Sequence, residues 1–336
     1  MAEPLTNPQA LDADLAFDER DLAEARRINR LLAAVPRPRF ASARELALLQ
    51  GALRISQRFP QPRLRSNLVI EQRTIRALGR EAAVRILRPA KGPCHGVYID
   101  IHGGAWALGN AQMDDRLNAA IVEACGLAVV SVDYRLVPTN PLRACQDDCE
   151  TAAAWVLSDG EAVFGSGTVF IGGESAGAHL AVSTALRLRH RPEFARVAGM
   201  VLFYGCYDLT GCASLRAAGQ DTLILHGPTL SDALPRLTPD LCEADRRRPD
   251  VSPAYADLRG LPPALILVGE KDPLLDDSLT LAQRWSAANG PVELHRVPEA
   301  PHAFNRLPTR VAAKANAYVR AWLNRRLEAE PARLTA

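Results

Sequence analysis

The chain has 336 residues, a formal net charge of +2 and 23% charged side chains. That balance provides no basic field for nucleic acid and no acidic tail, and the length suits one large α/β domain with room for a cap. Only three of the 40 basic residues are lysines (Lys91, Lys271 and Lys314) and the arginines are scattered, so no polyanion partner is implied.

Met1 to Arg20 lack the apolar core of a signal peptide, and no run approaches the roughly 18 apolar residues of a membrane span. A cytoplasmic chain with no membrane partner is expected. Seven cysteines without a C-x-x-C pair fit reduced thiols. Cys145 and Cys149 share a helix face at i and i+4, but no further histidine or cysteine has matching spacing, so they read as buried thiols.

In chain order, residues 1–65 form an N-terminal helical cap segment. Asp12 to Ala34 and Ser42 to Gln57 read as amphipathic helices separated by Pro36-Arg37-Pro38-Arg39. Leu15, Leu22, Ala25, Ile28, Leu31 and Leu32 fit one helical face. From Val69 the period becomes two, and a hairpin of Val69 to Leu78 and Ala82 to Leu87 turns around Gly79. Apolar strands then alternate with helices. The strands are Gly96 to Ile101, Leu127 to Val132, Thr168 to Ile171, Val197 to Phe203, Ala264 to Val268 and Val292 to Val297. The helices are Asp114 to Cys125, Ala144 to Leu157, Ala176 to Arg189, Asp277 to Ala288 and Arg310 to Leu327. This alternation predicts an α/β fold, a mostly parallel twisted sheet with helices on both faces. Residues 208–250 carry no strand pattern and read as a cap insertion dividing the core into 66–207 and 251–336. With the N-terminal helices, the insertion can form a lid over the serine described next.

Gly173-Glu174-Ser175-Ala176-Gly177 follows a β-branched strand and precedes a helix, the setting of a nucleophile elbow. Asp272 follows the strand ending at Val268, and His302 sits in the loop after the last strand. The order Ser, Asp, His is that of α/β-hydrolases, with Ser175 as nucleophile, His302 as base and Asp272 holding the imidazole tautomer. Asp276 and Asp277 lie one turn further on, where acids near a helix N-terminus are ordinary. Glu174 reads as structural support beneath the elbow. Asp133-Tyr134-Arg135 reads as a buried Asp–Arg network, and His102 as an anchor for its loop. Trp106, Tyr204 and Tyr207 fit either a substrate pocket or the core, and Arg187, Arg189, His190 and Arg191 a solvated helix end. No phosphate loop, dinucleotide fingerprint, H-E-x-x-H or calcium loop is present, so neither a cofactor nor a metal is expected.

From Val69 onward the chain resembles the hormone-sensitive-lipase-like family of α/β-hydrolase carboxylesterases. The resemblance rests on His102-Gly103-Gly104-Ala105-Trp106, Asp133-Tyr134-Arg135-Leu136-Val137-Pro138, the serine motif, Ser252-Pro253, Asp272-Pro273-Leu274-Leu275-Asp276 and His302-Ala303-Phe304. It implies the α/β-hydrolase fold with a helical cap, and a small-molecule ester as partner. It also implies a serine esterase that cleaves short- to medium-chain esters through an acyl-enzyme. The N–H groups of Gly104 and Ala105, with that of Ala176, are then the oxyanion donors, and Gly103 shapes the loop. Ala105 replaces the family's usual third glycine, and Ala178-His179 departs from its usual glycine at 178. Together with Trp106 these also resemble bacterial arylformamidase-type hydrolases, so an amide, formamide or lactone is the alternative substrate. A non-catalytic ligand-binding homologue is a third reading, which a missing triad member would signal; none is missing. Monomer or homodimer is left open.

Overall fold

The structure, a computed structural model, describes residues 15–35, 42–57 and 67–334. The period-two stretch folds as a ten-residue-per-strand hairpin, β1 (Leu68–Ala77) and β2 (Arg80–Pro89). Its turn residues, Leu78 and Gly79, both have positive φ (53° and 70°). Two left-handed residues match the twist of an antiparallel pair, which is why the strands meet in a two-residue turn.

Before the hairpin lie α1 (Glu19–Leu32) and α2 (Ala43–Ser56). Asp18 caps α1, accepting from the Asp21 amide at 2.9 Å while the Asp21 carboxylate accepts from the Asp18 amide at 3.1 Å. The face α1 buries runs through Asp21, Ala25 and Asn29, with Leu15 and Leu22 packed on the same core; of the expected apolar stripe, Leu31 at its edge is 63% exposed. Polar contacts dock the same face: Asn29 donates to the Glu299 carbonyl at 2.7 Å, and Asp21 pairs with Lys314. Asp12 to Asp14 and the Pro36–Arg39 break fall outside the described residues.

After the hairpin the chain alternates through β3 (Val97–Ile101), α3 (Asp115–Cys125), β4 (Ala128–Val132), α4 (Leu142–Phe164), β5 (Val169–Glu174), α5 (Ala176–Leu188) and β6 (Val197–Phe203). Three short helices follow without an intervening strand: α6 (Ala213–Ala217), α7 (Gly227–Leu237) and α8 (Glu243–Arg246). The rhythm resumes with β7 (Ala264–Gly269), α9 (Leu275–Asn289), β8 (Glu293–Val297) and α10 (Arg310–Leu334). Among the described residues the strands form one eight-stranded sheet in the order β1-β2-β4-β3-β5-β6-β7-β8. β2 is antiparallel to both of its neighbours, and from β4 to β8 the sheet is parallel.

Alternation along β3 divides the core. Val97, Ile99 and Ile101 face α4 and α5 in one apolar cluster, and Tyr98 faces α3 and α10 in the other. All five residues of β3 are buried, as strands covered on both sides must be. None of the described helices is long and apolar enough to cross a membrane. The carboxyl ends of β3, β5, β7 and β8 meet along one edge, which brings the loops after them together.

Candidate active site

Ser175 is the single residue between β5 and α5, with φ 54° and ψ −118°. Such a backbone is costly for a residue with a Cβ and persists only where its surroundings impose it. Two glycines permit the turn. A Cβ on Gly177 would lie 1.9 Å from the Ile101 carbonyl oxygen, and one on Gly173 would lie 2.5 Å from the Gly177 carbonyl carbon. Helix and strand approach too closely for any other residue at either position.

The Ser175 hydroxyl donates to His302 Nε2 at 2.9 Å, and His302 Nδ1 donates to Asp272 Oδ2 at 2.8 Å. The other carboxylate oxygen of Asp272 accepts from the Leu274 amide at 2.8 Å, fixing the carboxylate plane. Asp272 is 4% exposed and His302 6%. The two neighbouring acids lie elsewhere. The Asp276 amide donates to Ser214, and Asp277 accepts from the Asp208 amide at 2.9 Å. Burial, and then the nearby Asp208 charge, push the Asp277 carboxyl well above the usual carboxylate range. Of the three acids, Asp272 is the one in hydrogen-bond contact with His302.

The loop after β3 packs on the elbow: a Cβ on Gly103 would touch the Glu174 carbonyl at 3.0 Å. Gly104 has φ 120° and Ala105 φ 51°, so the alanine takes the left-handed region despite its side chain. The Gly104 carbonyl accepts from the Ala107 and Leu108 amides at 3.0 and 2.9 Å. In a trans peptide that turns the Ala105 N–H the opposite way. No acceptor faces the N–H groups of Gly104, Ala105 or Ala176 among the described residues. These backbone groups and Ser175 line one cavity of about 380 Å³. Its walls are largely apolar, with Leu49 and Leu53 from α2 and Ile224, Leu225 and Leu230 from the segment around α7.

Tyr204 lines this cavity with its ring 4.7 Å from that of His302, and its hydroxyl donates to Asn305. Trp106 also lines it, while its indole N–H donates to His179 Nδ1 at 3.1 Å. Tyr207 does not line it; the side chain is fully buried against Gly205. Of the three aromatic residues with two readings, Tyr207 therefore takes the core one.

Beneath the elbow, Glu174 accepts from Asn305 and from Arg306 Nε, both at 2.6 Å, and Arg306 also pairs with Asp114. One carboxylate thus ties the serine turn to the histidine loop. No motif marks Asp114, Asn305 or Arg306, because their meeting depends on loops far apart in the chain. Two sequence expectations need correction. Arg135 pairs with Asp148 at 2.8 Å instead of with Asp133, which is exposed and accepts from the Ala111 amide. Arg187 is not solvated: it pairs with Asp147 and Glu150 at 2.5 and 2.7 Å, because α5 packs along α4. Cys145 and Cys149 are buried in the core, and burial pushes the Cys145 thiol up to about 12.

Two buried imidazoles stiffen the site. His102 donates from Nδ1 to the Gly103 carbonyl at 2.8 Å and stacks on Tyr134, whose hydroxyl donates to the His102 carbonyl at 2.9 Å. His179 donates from Nε2 to the Val251 carbonyl at 2.7 Å, leaving Nδ1 to accept from Trp106. Protonating His179 would set two donors face to face. Burial lowers both groups from 6.5 to about 4. A lowered imidazole means the unfolded chain binds the proton first, so stability is complete above pH 6.5 and is lost as pH falls toward 4. Each group contributes about 3 kcal/mol to that loss. Denaturant unfolding at pH 7, 5.5 and 4 should show the steepest decline in this window; a flat profile would contradict neutral buried imidazoles.

Residues 98–306 match the family described as alpha/beta hydrolase fold. The carboxylesterase NlhH of Mycobacterium tuberculosis is 32% identical over 275 residues, 79% of this chain and 84% of that protein. An acetyl-hydrolase of Streptomyces hygroscopicus is 34% identical over 212 residues, 61% of this chain and 67% of that protein. Among solved structures, the esterase LipW from Mycobacterium marinum aligns with a TM-score of 0.80 at 26% identity, over 91% of this chain and 96% of that one. An esterase from Pyrobaculum calidifontis aligns with a TM-score of 0.77 at 27% identity, over 88% and 97%.

Proposed function

This chain belongs to the α/β-hydrolase fold family and is a carboxylic ester hydrolase, and on that premise we propose that it acts as a serine carboxylesterase through an acyl-enzyme. Ser175 Oγ attacks the ester carbonyl carbon while His302 Nε2 takes its proton. The oxygen that becomes negative is met by the N–H groups of Ala105, Gly104 and Ala176, which have no other partner among the described residues to give up. His302 then returns the proton to the alcohol oxygen as the C–O bond breaks. In the second half, His302 takes a proton from water, which attacks the acyl carbon, and Ser175 leaves with that proton. Asp272 holds Nδ1–H and offsets the charge on the imidazole in both halves.

The observation that carries this reading is the unbroken hydrogen-bonded line from Ser175 through His302 to Asp272, opening into an apolar cavity of about 380 Å³. A cavity of that size and polarity suits an ester with short or medium apolar groups. The formamide alternative drew on Trp106 and His179, and these two are spent on each other: Trp106 donates to His179, whose second nitrogen binds Val251. The pairing accounts for both residues as scaffold. A series of p-nitrophenyl esters from acetate to palmitate, with an N-formyl aryl amine and a lactone, tests the assignment. We expect kcat/KM to peak among the acetate to octanoate esters and to fall for palmitate. Equal or faster turnover of the formamide or lactone would overturn it.

A further inference from the structure

The loop that presents the oxyanion donors is held from outside by a helix remote in sequence. The side-chain amide of Gln50, on α2, pairs twice with the Gly109 backbone: Nε2 donates to the carbonyl at 2.8 Å and Oε1 accepts the N–H at 2.9 Å. Seven residues on, at the end of α2, Gln57 and Asn110 exchange amide hydrogen bonds in both directions at 2.8 Å. That spacing puts both glutamines on one face of the helix. The same Asn110 oxygen accepts from the Met113 amide at 3.2 Å.

Gly109 immediately follows Leu108, whose amide closes the turn onto the Gly104 carbonyl at 2.9 Å. That bond sets the plane of the peptide carrying the Ala105 N–H. Only glycine fits at 109: its φ is positive, and a Cβ there would sit 2.6 Å from His102 Nδ1. The path is short and continuous, from the Gln50 amide to Gly109, Leu108, the Gly104 carbonyl and the Ala105 donor.

We propose that Gln50 is a positioning residue for the oxyanion hole, with Gln57 as a weaker second clasp, so that docking of α2 sets the alignment of the transition-state donors. The inference rests on the serine esterase reading above. It also links substrate to catalysis, because Leu49 and Leu53 on the same helix wall the cavity that the ester fills.

The test compares wild type with Gln50→Ala, Gln50→Leu and Gln50→Glu on p-nitrophenyl butyrate. The readouts are kcat and KM, the Ki of a trifluoromethyl ketone transition-state analogue, and Tm. Gln50→Leu keeps an apolar contact without the hydrogen bonds, and Gln50→Glu keeps only the acceptor. We expect kcat to fall about tenfold in the alanine and leucine variants with KM within about twofold. The ketone Ki should rise in parallel, and Gln50→Glu should fall between these variants and wild type. A loss confined to KM or Tm, or full kcat in Gln50→Leu, would overturn the proposal and leave α2 as a wall only. Failure of the esterase reading looks different: wild type itself would hydrolyse no ester in the series.

Discussion

Replacing Ser175 with alanine is expected to lower kcat toward p-nitrophenyl butyrate by a factor on the order of 10⁶, with little change in KM. The size follows from what the hydroxyl does. It is the atom that forms the covalent bond, and His302 has no other nucleophile to deprotonate at 2.9 Å. The cavity and the backbone donors persist in the variant, so substrate still binds and a residual rate above water remains. Folding should not suffer, because the side chain makes one hydrogen bond and the strained turn is held by Gly173 and Gly177. Tm and a circular dichroism spectrum matching wild type, with activity lost, are the expected pair of results.

The second large effect belongs to Asp272→Asn, which should lower kcat by about 10⁴, or about 5 kcal/mol of transition-state stabilisation. Asparagine keeps the volume and one acceptor, so the Leu274 amide can stay bound. The NH₂ group, however, is presented to His302 as a donor or forces the ring to the other tautomer. With the proton on Nε2, the imidazole cannot accept from Ser175. It also loses the buried negative charge that stabilises it when protonated. Asp276→Asn and Asp277→Asn serve as controls, since neither carboxylate reaches His302. The first should leave kcat within about twofold. The second keeps an oxygen that can accept from the Asp208 amide but turns the other into a donor, and its effect should appear in Tm. Near-wild-type kcat in Asp272→Asn would remove this aspartate from the mechanism.

Much of this arrangement can be read along the chain, for reasons that are local. A serine turn needs glycines where helix and strand collide, so Gly173 and Gly177 mark it in the sequence. Strands buried on both faces are continuously apolar, as in β3 and β6. Asp272 and His302 each follow a strand directly, and a parallel sheet brings such ends together without further information. What stays hidden is side-chain pairing across distant segments. Gln50 and Gly109 are 59 positions apart, and a glutamine on an amphipathic helix gives no sign of its partner. The Glu174–Arg306–Asp114 group likewise joins three loops. Helix ends stay hidden where exposed polar residues interrupt the apolar pattern. α4 continues to Phe164, past the expected end at Leu157, because Gly160 and Phe164 still bury on its core face although Ser158, Asp159 and Glu161 between them are exposed. In α1 the periodicity finds the right face, with Ala25 buried and Leu15 and Leu22 packed on the core, but gives no sign of Asp21 and Asn29 buried beside them.

The central claim is that one serine, aligned with His302 and Asp272, carries the chemistry. The most direct measurement is covalent capture: incubation with a fluorophosphonate, proteolysis and mass spectrometry of the labelled peptide. The account predicts stoichiometric modification at Ser175, slowed strongly in Asp272→Asn and absent in Ser175→Ala. Protein that takes up no label on incubation yet still hydrolyses p-nitrophenyl butyrate, or label carried by any other residue while activity is lost, would contradict it.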